Sequence, residues 1–211
     1  MGNLQSIRNA FEVLGAEVFV TSNPNDLEKA SAIILPGVGA FRDGMRNLEE
    51  KGFIDVLEEQ VLKKRKPYLG ICLGMQFLAN SSHEHGLHRG LGWINGEVKV
   101  IKPENIKYKV PHIGWNEVKF RQKSELFNGL GDRETFYFVH SYYADPGDPA
   151  LTGGETDYGI PFASVLIRDN LVATQFHPEK SGDLGLKLYD NFFTIHVKGQ
   201  TGTAKRLKDI P

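Results

Sequence analysis

Apolar residues recur at Leu4, Ile7, Phe11 and Leu14, a spacing of three and four that predicts one helix stripe ending at Gly15. Ala16 to Thr21 then reads as a strand, and Pro24 suits the first turn of a short helix. Ser31 to Leu35 is a short, near-continuous apolar run. Continuous rather than alternating apolarity predicts a strand buried on both faces, as in a parallel sheet covered by helices. After Gly39 one helical stretch reaches Gly52 and another Lys66, before Pro67 to Cys72 returns to strand. This alternation predicts an α/β domain built on a doubly wound sheet flanked by helices.

The second half changes character. Glu97–Ile101, Glu117–Arg121, Thr135–Tyr143, Phe162–Ile167 and Leu171–Phe176 read as strands separated by Gly, Pro and Asp turns. They predict antiparallel strands added to the first sheet, which makes the whole sheet mixed. Leu184, Leu188, Phe192 and Ile195 mark a closing amphipathic helix over Asp183–Val197. One domain over residues 1–197 is expected, with 198–211 a polar, basic tail that frays.

Composition removes several function classes. Twenty-five Lys and Arg against 26 Asp and Glu give a formal net charge of -1, so no global field draws nucleic acid or an anionic membrane. No apolar run approaches the roughly 20 residues needed to cross a bilayer. A single cysteine excludes an intrachain disulfide and suits a reducing, cytoplasmic setting. His83, His85 and His88 lie in a polar stretch without a supporting ligand pattern, so neither a metal nor a cofactor is expected. Lys63-Lys64-Arg65-Lys66 reads as a solvated helix end whose cations suit the dipole, with phosphate binding as the alternative.

Two short stretches carry candidate chemistry. In Gly70-Ile71-Cys72-Leu73-Gly74, glycines two residues either side of the cysteine permit a sharp strand-to-helix turn that projects a nucleophile. Leu73 N–H would then sit where an oxyanion needs a donor. A small buried hydrophobe explains the same cysteine equally well. His177 follows the apolar run Leu171–Phe176, and Glu179 lies two residues further on, where both side chains can lean the same way. Such a carboxylate would fix the imidazole tautomer and stabilise the imidazolium formed against a thiol. A casual surface turn is the other reading.

Taken together, Pro36-Gly37-Val38-Gly39, Gly70 to Gln76 and Gln175 to Gly182 resemble the three signatures of the triad-type, class I glutamine amidotransferases. Pro111-His112-Ile113-Gly114-Trp115-Asn116 and Tyr137-Phe138-Val139-His140-Ser141-Tyr142-Tyr143 narrow the resemblance to the glutaminase subunits of imidazole glycerol phosphate synthases. The likeness runs in consistent order from Gly2 to Phe193. It implies that Cys72 attacks the side-chain amide of glutamine, that His177 moves the proton and that Glu179 orients His177. It implies an oxyanion site from Leu73 and the Gly37, Val38 and Gly39 loop, and glutamine contacts from Gly39, Gln76, Ser141 and Tyr142. It implies a heterodimer with a (β/α)8-barrel cyclase subunit that receives ammonia through an internal tunnel, with Asn3, Tyr137 and Lys180 on the docking face. Trp115 fits that face or the core.

A paralogue supplying ammonia to a sugar amidotransferase, or a silent binding module, is compatible with the same motifs. One departure stands out. Members of the family begin with an apolar strand before the Gly-Asn of the first helix, whereas this chain starts Met1-Gly2-Asn3, so native sequence upstream of Met1 is expected.

Overall fold

The computed structural model describes residues 4–103 and 107–198. Asn3 and nearly all of the expected tail lie outside that range. The first stripe forms α1 (Leu4–Val13), which buries Ile7 and Phe11. Strand and helix then alternate through β1 (Ile33–Gly37), α2 (Phe41–Glu50), α3 (Phe53–Leu57), β2 (Tyr68–Cys72) and α4 (Leu73–Gln76). The helix α3 continues as a π-type turn over Glu58–Lys63. The later elements are β3 (Ser81–Ser82), β4 (His88–Arg89), β5 (Gly96–Val100), β6 (His112–Phe120), β7 (Arg133–His140), β8 (Tyr142–Pro146), β9 (Thr152–Asp157), β10 (Pro161–Arg168), β11 (Leu171–Thr174) and α5 (Gly182–Phe193).

A seven-stranded mixed sheet in the order β1-β2-β11-β10-β9-β6-β7 organises the molecule. Its first three strands are parallel, and β10, β9, β6 and β7 continue it antiparallel. Every residue of β2 and β11 is buried, as continuous apolarity demands of strands covered on both faces. Successive residues of β2 point to opposite faces. Leu69 and Ile71 pack with α1 and α5, through Phe11, Leu188 and Phe192, whereas Tyr68 packs with Leu57 and Val61 of the α3 segment.

Two expectations are corrected, and one strand was not expected at all. Ala16–Thr21 is not a strand: Ala16 and Val18 lean on the core and Glu17 and Phe19 are exposed, but no described strand pairs with it. Alternation alone does not make a ladder; the N–H and C=O groups need a neighbour. Thr135–Tyr143 is two strands, because the chain leaves the main sheet at Ser141 and β8 joins a second, four-stranded sheet β4-β3-β5-β8. The unforeseen β9 is polar and carries Gly153 and Gly154. A Cβ at Gly154 would stand 2.8 Å from Val118 and 2.9 Å from Val165, so missing side chains let this strand lie close to its neighbours.

Candidate active site

The close-packed turn expected around Cys72 is formed. Cys72 sits between β2 and α4 at φ 55° and ψ −106°, a strained conformation for a residue with a Cβ. A Cβ at Gly74 would lie 1.8 Å from the Leu35 carbonyl oxygen, and one at Gly70 2.6 Å from that of Gly74. Only glycine fits at either place, and the result is a cysteine raised on a crowded turn.

β1 brings the glycine loop to the same spot. Gly37 is the register partner of Cys72 across the parallel ladder, and Gly39 follows at φ 97°. Gly39, Cys72, Leu73, Gln76, Ser141 and Tyr142 all line one cavity of about 200 Å³. The candidate oxyanion and substrate residues therefore converge around the sulfur, apart from Val38, which is exposed at the rim of the loop.

β11 delivers the other two residues. His177 N–H donates to the Tyr137 carbonyl, anchoring the segment to β7, and Ser181 Oγ donates to the His177 carbonyl at 2.7 Å. His177 Nδ1 lies 2.7 Å from Glu179 Oε1, with the two side chains 3 % and 1 % exposed. Nε2 is buried without a well-aligned hydrogen-bond partner, while the Cys72 sulfur is near enough to act on it. Burial alone would lower the imidazole's pKa. The sulfur and the Glu179 carboxylate outweigh it and raise the pKa to about 9.

Several residues here escaped the sequence reading. Gln175, fully buried, donates from Nε2 to the Cys72 sulfur at 3.6 Å and accepts from Gln76 Nε2 at 3.0 Å. Gln76 Nε2 also donates to the Tyr142 carbonyl at 2.9 Å, so the candidate substrate residue is tied to the sulfur's own support. Glu84 lines the cavity and accepts the Phe41 N–H at 2.6 Å, bracing the start of α2 beside the Gly39 loop. Its place in a polar stretch carried no pattern to single it out. Gln175 had a usable signal: it lies two residues before His177 in a motif already quoted.

Residues 1–195 match the model of the glutamine amidotransferase class-I family. The chain belongs to that family. Among the relatives of this amidotransferase, it is 48% identical over 191 residues to imidazole glycerol phosphate synthase subunit HisH 1 of Campylobacter jejuni (strain 81-176), covering 90% of this chain and 94% of that protein. It is 50% identical over 194 residues to imidazole glycerol phosphate synthase subunit HisH of Dehalococcoides mccartyi (strain CBDB1), covering 92% and 93%. A solved glutamine amidotransferase, 18% identical, superposes with a TM-score of 0.72 over 92% of this chain and 94% of that one, which supports the shared fold.

The amidotransferase carries a buried histidine pair, of which His140 lines the cavity. His112 Nδ1 and His140 Nε2 are 2.9 Å apart, His140 Nδ1 donates to the Tyr142 carbonyl at 2.9 Å, and Asn116 Nδ2 reaches His112 Nε2 at 3.3 Å. These bonds assign one proton to each ring, so both are neutral. Burial pushes their pKa values down, to about 4 for His112 and about 3 for His140.

Outside the cavity, Lys180 Nζ lies 5.7 Å from the Tyr137 ring, and Trp115 packs on the same ring at 6.0 Å. Trp115 is 58% exposed, with Ile113 and Val110 exposed nearby in sequence, which places the tryptophan on the surface and not in the core. Within the basic run at the end of the helix, Lys63 pairs with Glu59, Arg65 pairs with Asp169, and Lys66 donates to the carbonyls of Leu27 and Glu28. Among the described residues, no group of three metal-ligating side chains occurs and no helix is long and apolar enough to cross a membrane.

Proposed function

We propose that this chain is the glutaminase subunit of an imidazole glycerol phosphate synthase, serving histidine biosynthesis. The observation that carries the reading is the buried His177–Glu179 pair, 2.7 Å apart, set against a cysteine on a strained turn. Close relatives of that description, matched over nine-tenths of the chain, support it. The single cysteine favours a reducing compartment such as the cytoplasm.

Cys72 attacks the side-chain carbonyl of glutamine, and the negative charge that forms on oxygen is met by the N–H of Leu73 and one from the Gly37–Gly39 loop. Such donors each contribute about 10²–10³ in rate. His177, protonated and steadied by Glu179, gives its proton to the departing ammonia. Water, deprotonated by His177, then cleaves the glutamyl thioester to glutamate. Gly39, Gln76, Ser141 and Tyr142 hold the substrate, and the Glu84 carboxylate suits its α-ammonium group.

Ammonia that meets bulk water at neutral pH is protonated and loses its nucleophilicity, so a second subunit must take it directly. The exposed Trp115, with Tyr137 and Lys180 beside it, suits that docking face. A (β/α)8-barrel cyclase subunit is the proposed partner.

The test mixes the chain with a barrel subunit, glutamine and the acceptor nucleotide, and measures glutamate release. Cys72→Ala should abolish glutamine-dependent turnover and leave ammonia-dependent synthesis by the barrel intact. Glutamate release by the Cys72→Ala protein would refute the nucleophile assignment.

A further inference from the structure

Only one oxygen of the Glu179 carboxylate faces the imidazole. Oε1 lies 2.7 Å from His177 Nδ1, whereas Oε2 lies 3.3 Å from the hydroxyl of Tyr189. The Glu179 side chain is 1 % exposed and Tyr189 is fully buried. A carboxylate oxygen shut away from water needs a donor, and the phenol supplies it. Burial first, and the neighbouring carboxylate second, hold the Tyr189 pKa well above the ordinary value. The hydroxyl therefore keeps its proton and remains a donor throughout the working pH range.

Tyr189 is itself rigidly held. Its ring packs on Phe11 of α1 with centroids 4.7 Å apart. One turn earlier, α5 presses Gly185 against the turn that carries Glu179. A Cβ at Gly185 would stand 1.9 Å from the Pro178 carbonyl oxygen. The helix is thus seated directly on the catalytic turn, with its tyrosine aimed at the carboxylate.

We propose that Tyr189 is a positioning residue for the triad, holding the Glu179 carboxylate in the orientation that meets His177 Nδ1. The inference rests on the glutaminase reading above and deepens it. The last torsion of a glutamate side chain is broad and roughly two-fold, so a carboxylate held at one oxygen can swing. The tyrosine pins the second oxygen. It acts through Glu179 and His177, and so shapes proton transfer without contributing to glutamine binding.

Tyr189→Phe removes the hydroxyl and retains the ring. Assayed in complex with the barrel subunit, this variant should lose about tenfold in kcat, the cost of leaving one buried acceptor unmet, with the KM for glutamine unchanged. The limb of the pH profile that reports His177 should move to lower pH, because a loosely held carboxylate stabilises the imidazolium less. In a Glu179→Gln background the same substitution should add nothing further. An active parent whose Tyr189→Phe variant keeps the parent kcat and a superimposable pH profile overturns the proposal. So does a variant whose only change is a lower melting temperature. If Tyr189→Phe fails to fold, site-specific 3-fluorotyrosine keeps the shape and strengthens the donor; the His177 limb must then move, and an unmoved limb refutes the role. An inactive parent complex refutes the glutaminase reading itself, and this inference with it.

Discussion

The side-chain amide of Gln175 donates to the Cys72 sulfur at 3.6 Å, and its oxygen is held in turn by Gln76. A donor aimed at sulfur fixes the direction from which the nucleophile attacks. It also joins the nucleophile to a residue of the glutamine cavity, so that ligand contact and reactivity share one buried network.

Gln175→Leu should therefore slow glutamine-dependent turnover by about tenfold, the cost of removing one buried hydrogen bond at the reacting atom. Alkylation of Cys72 by iodoacetamide should slow in parallel, in the absence of glutamine. Unchanged alkylation alongside reduced turnover would mean that Gln175 serves only substrate binding.

Gly74→Ala is expected to prevent the turn from forming at all. Its Cβ would fall 1.8 Å from the Leu35 carbonyl oxygen, backbone of β1 that is held in register against β2 along the whole strand. The loss should exceed about 4 kcal/mol, a large share of a domain's whole stability. Failure to purify as a soluble, cooperatively melting protein is the expected result; a melting temperature within a few degrees of the parent would contradict the close approach.

The nucleophile turn and the parallel core were legible because local chemistry and global fold demand the same residues there. Gly70 and Gly74 are required by backbone contacts only a few residues away in chain or on the adjacent strand. The apolar runs 68–72 and 171–174 signal burial on both faces without reference to partners. What stayed hidden depends on long-range pairing. Ala16–Thr21 has strand-like residues and no described strand beside it, while Thr152–Asp157 has poor strand residues and two neighbours. Tyr189 was hidden for the same reason. A helix periodicity shows that it is buried, but not that its hydroxyl ends at Glu179.

Trp115→Ala should separate docking from folding. The ring is 58% exposed and packs edge-on to Tyr137, so its removal leaves the isolated chain's stability nearly unchanged. A buried aromatic anchor at an interface contributes about 2 kcal/mol or more, so the affinity for a barrel subunit should fall by about thirtyfold. Calorimetric titration checks this. An unchanged dissociation constant would remove this face as the docking site.

Stability should peak near pH 6.5 and fall on either side, for opposite reasons at the two limbs. His112 and His140 have depressed pKa values, about 4 and about 3: burial lowers both, and for His140 the hydrogen bond to the Tyr142 carbonyl opposes the fall while the neighbouring His112 and His177 add to it. Below pH 6.5 the unfolded chain takes up protons that these two rings refuse, so stability falls by roughly 1.4 kcal/mol per pH unit for each of them. His177 works the other way. Its pKa is raised to about 9, so its contribution is complete below pH 6.5 and disappears as the pH rises through 9. At roughly 2–4 °C per kcal/mol, both limbs are readable as melting temperatures across pH 4.5–9.5. His177→Gln should flatten the alkaline limb and leave most of the acid limb in place, because burial, the largest cause of the His112 and His140 shifts, does not depend on His177. A parent whose melting temperature kept rising from pH 6.5 to 9 would show that the imidazole is not held as an imidazolium between Cys72 and Glu179.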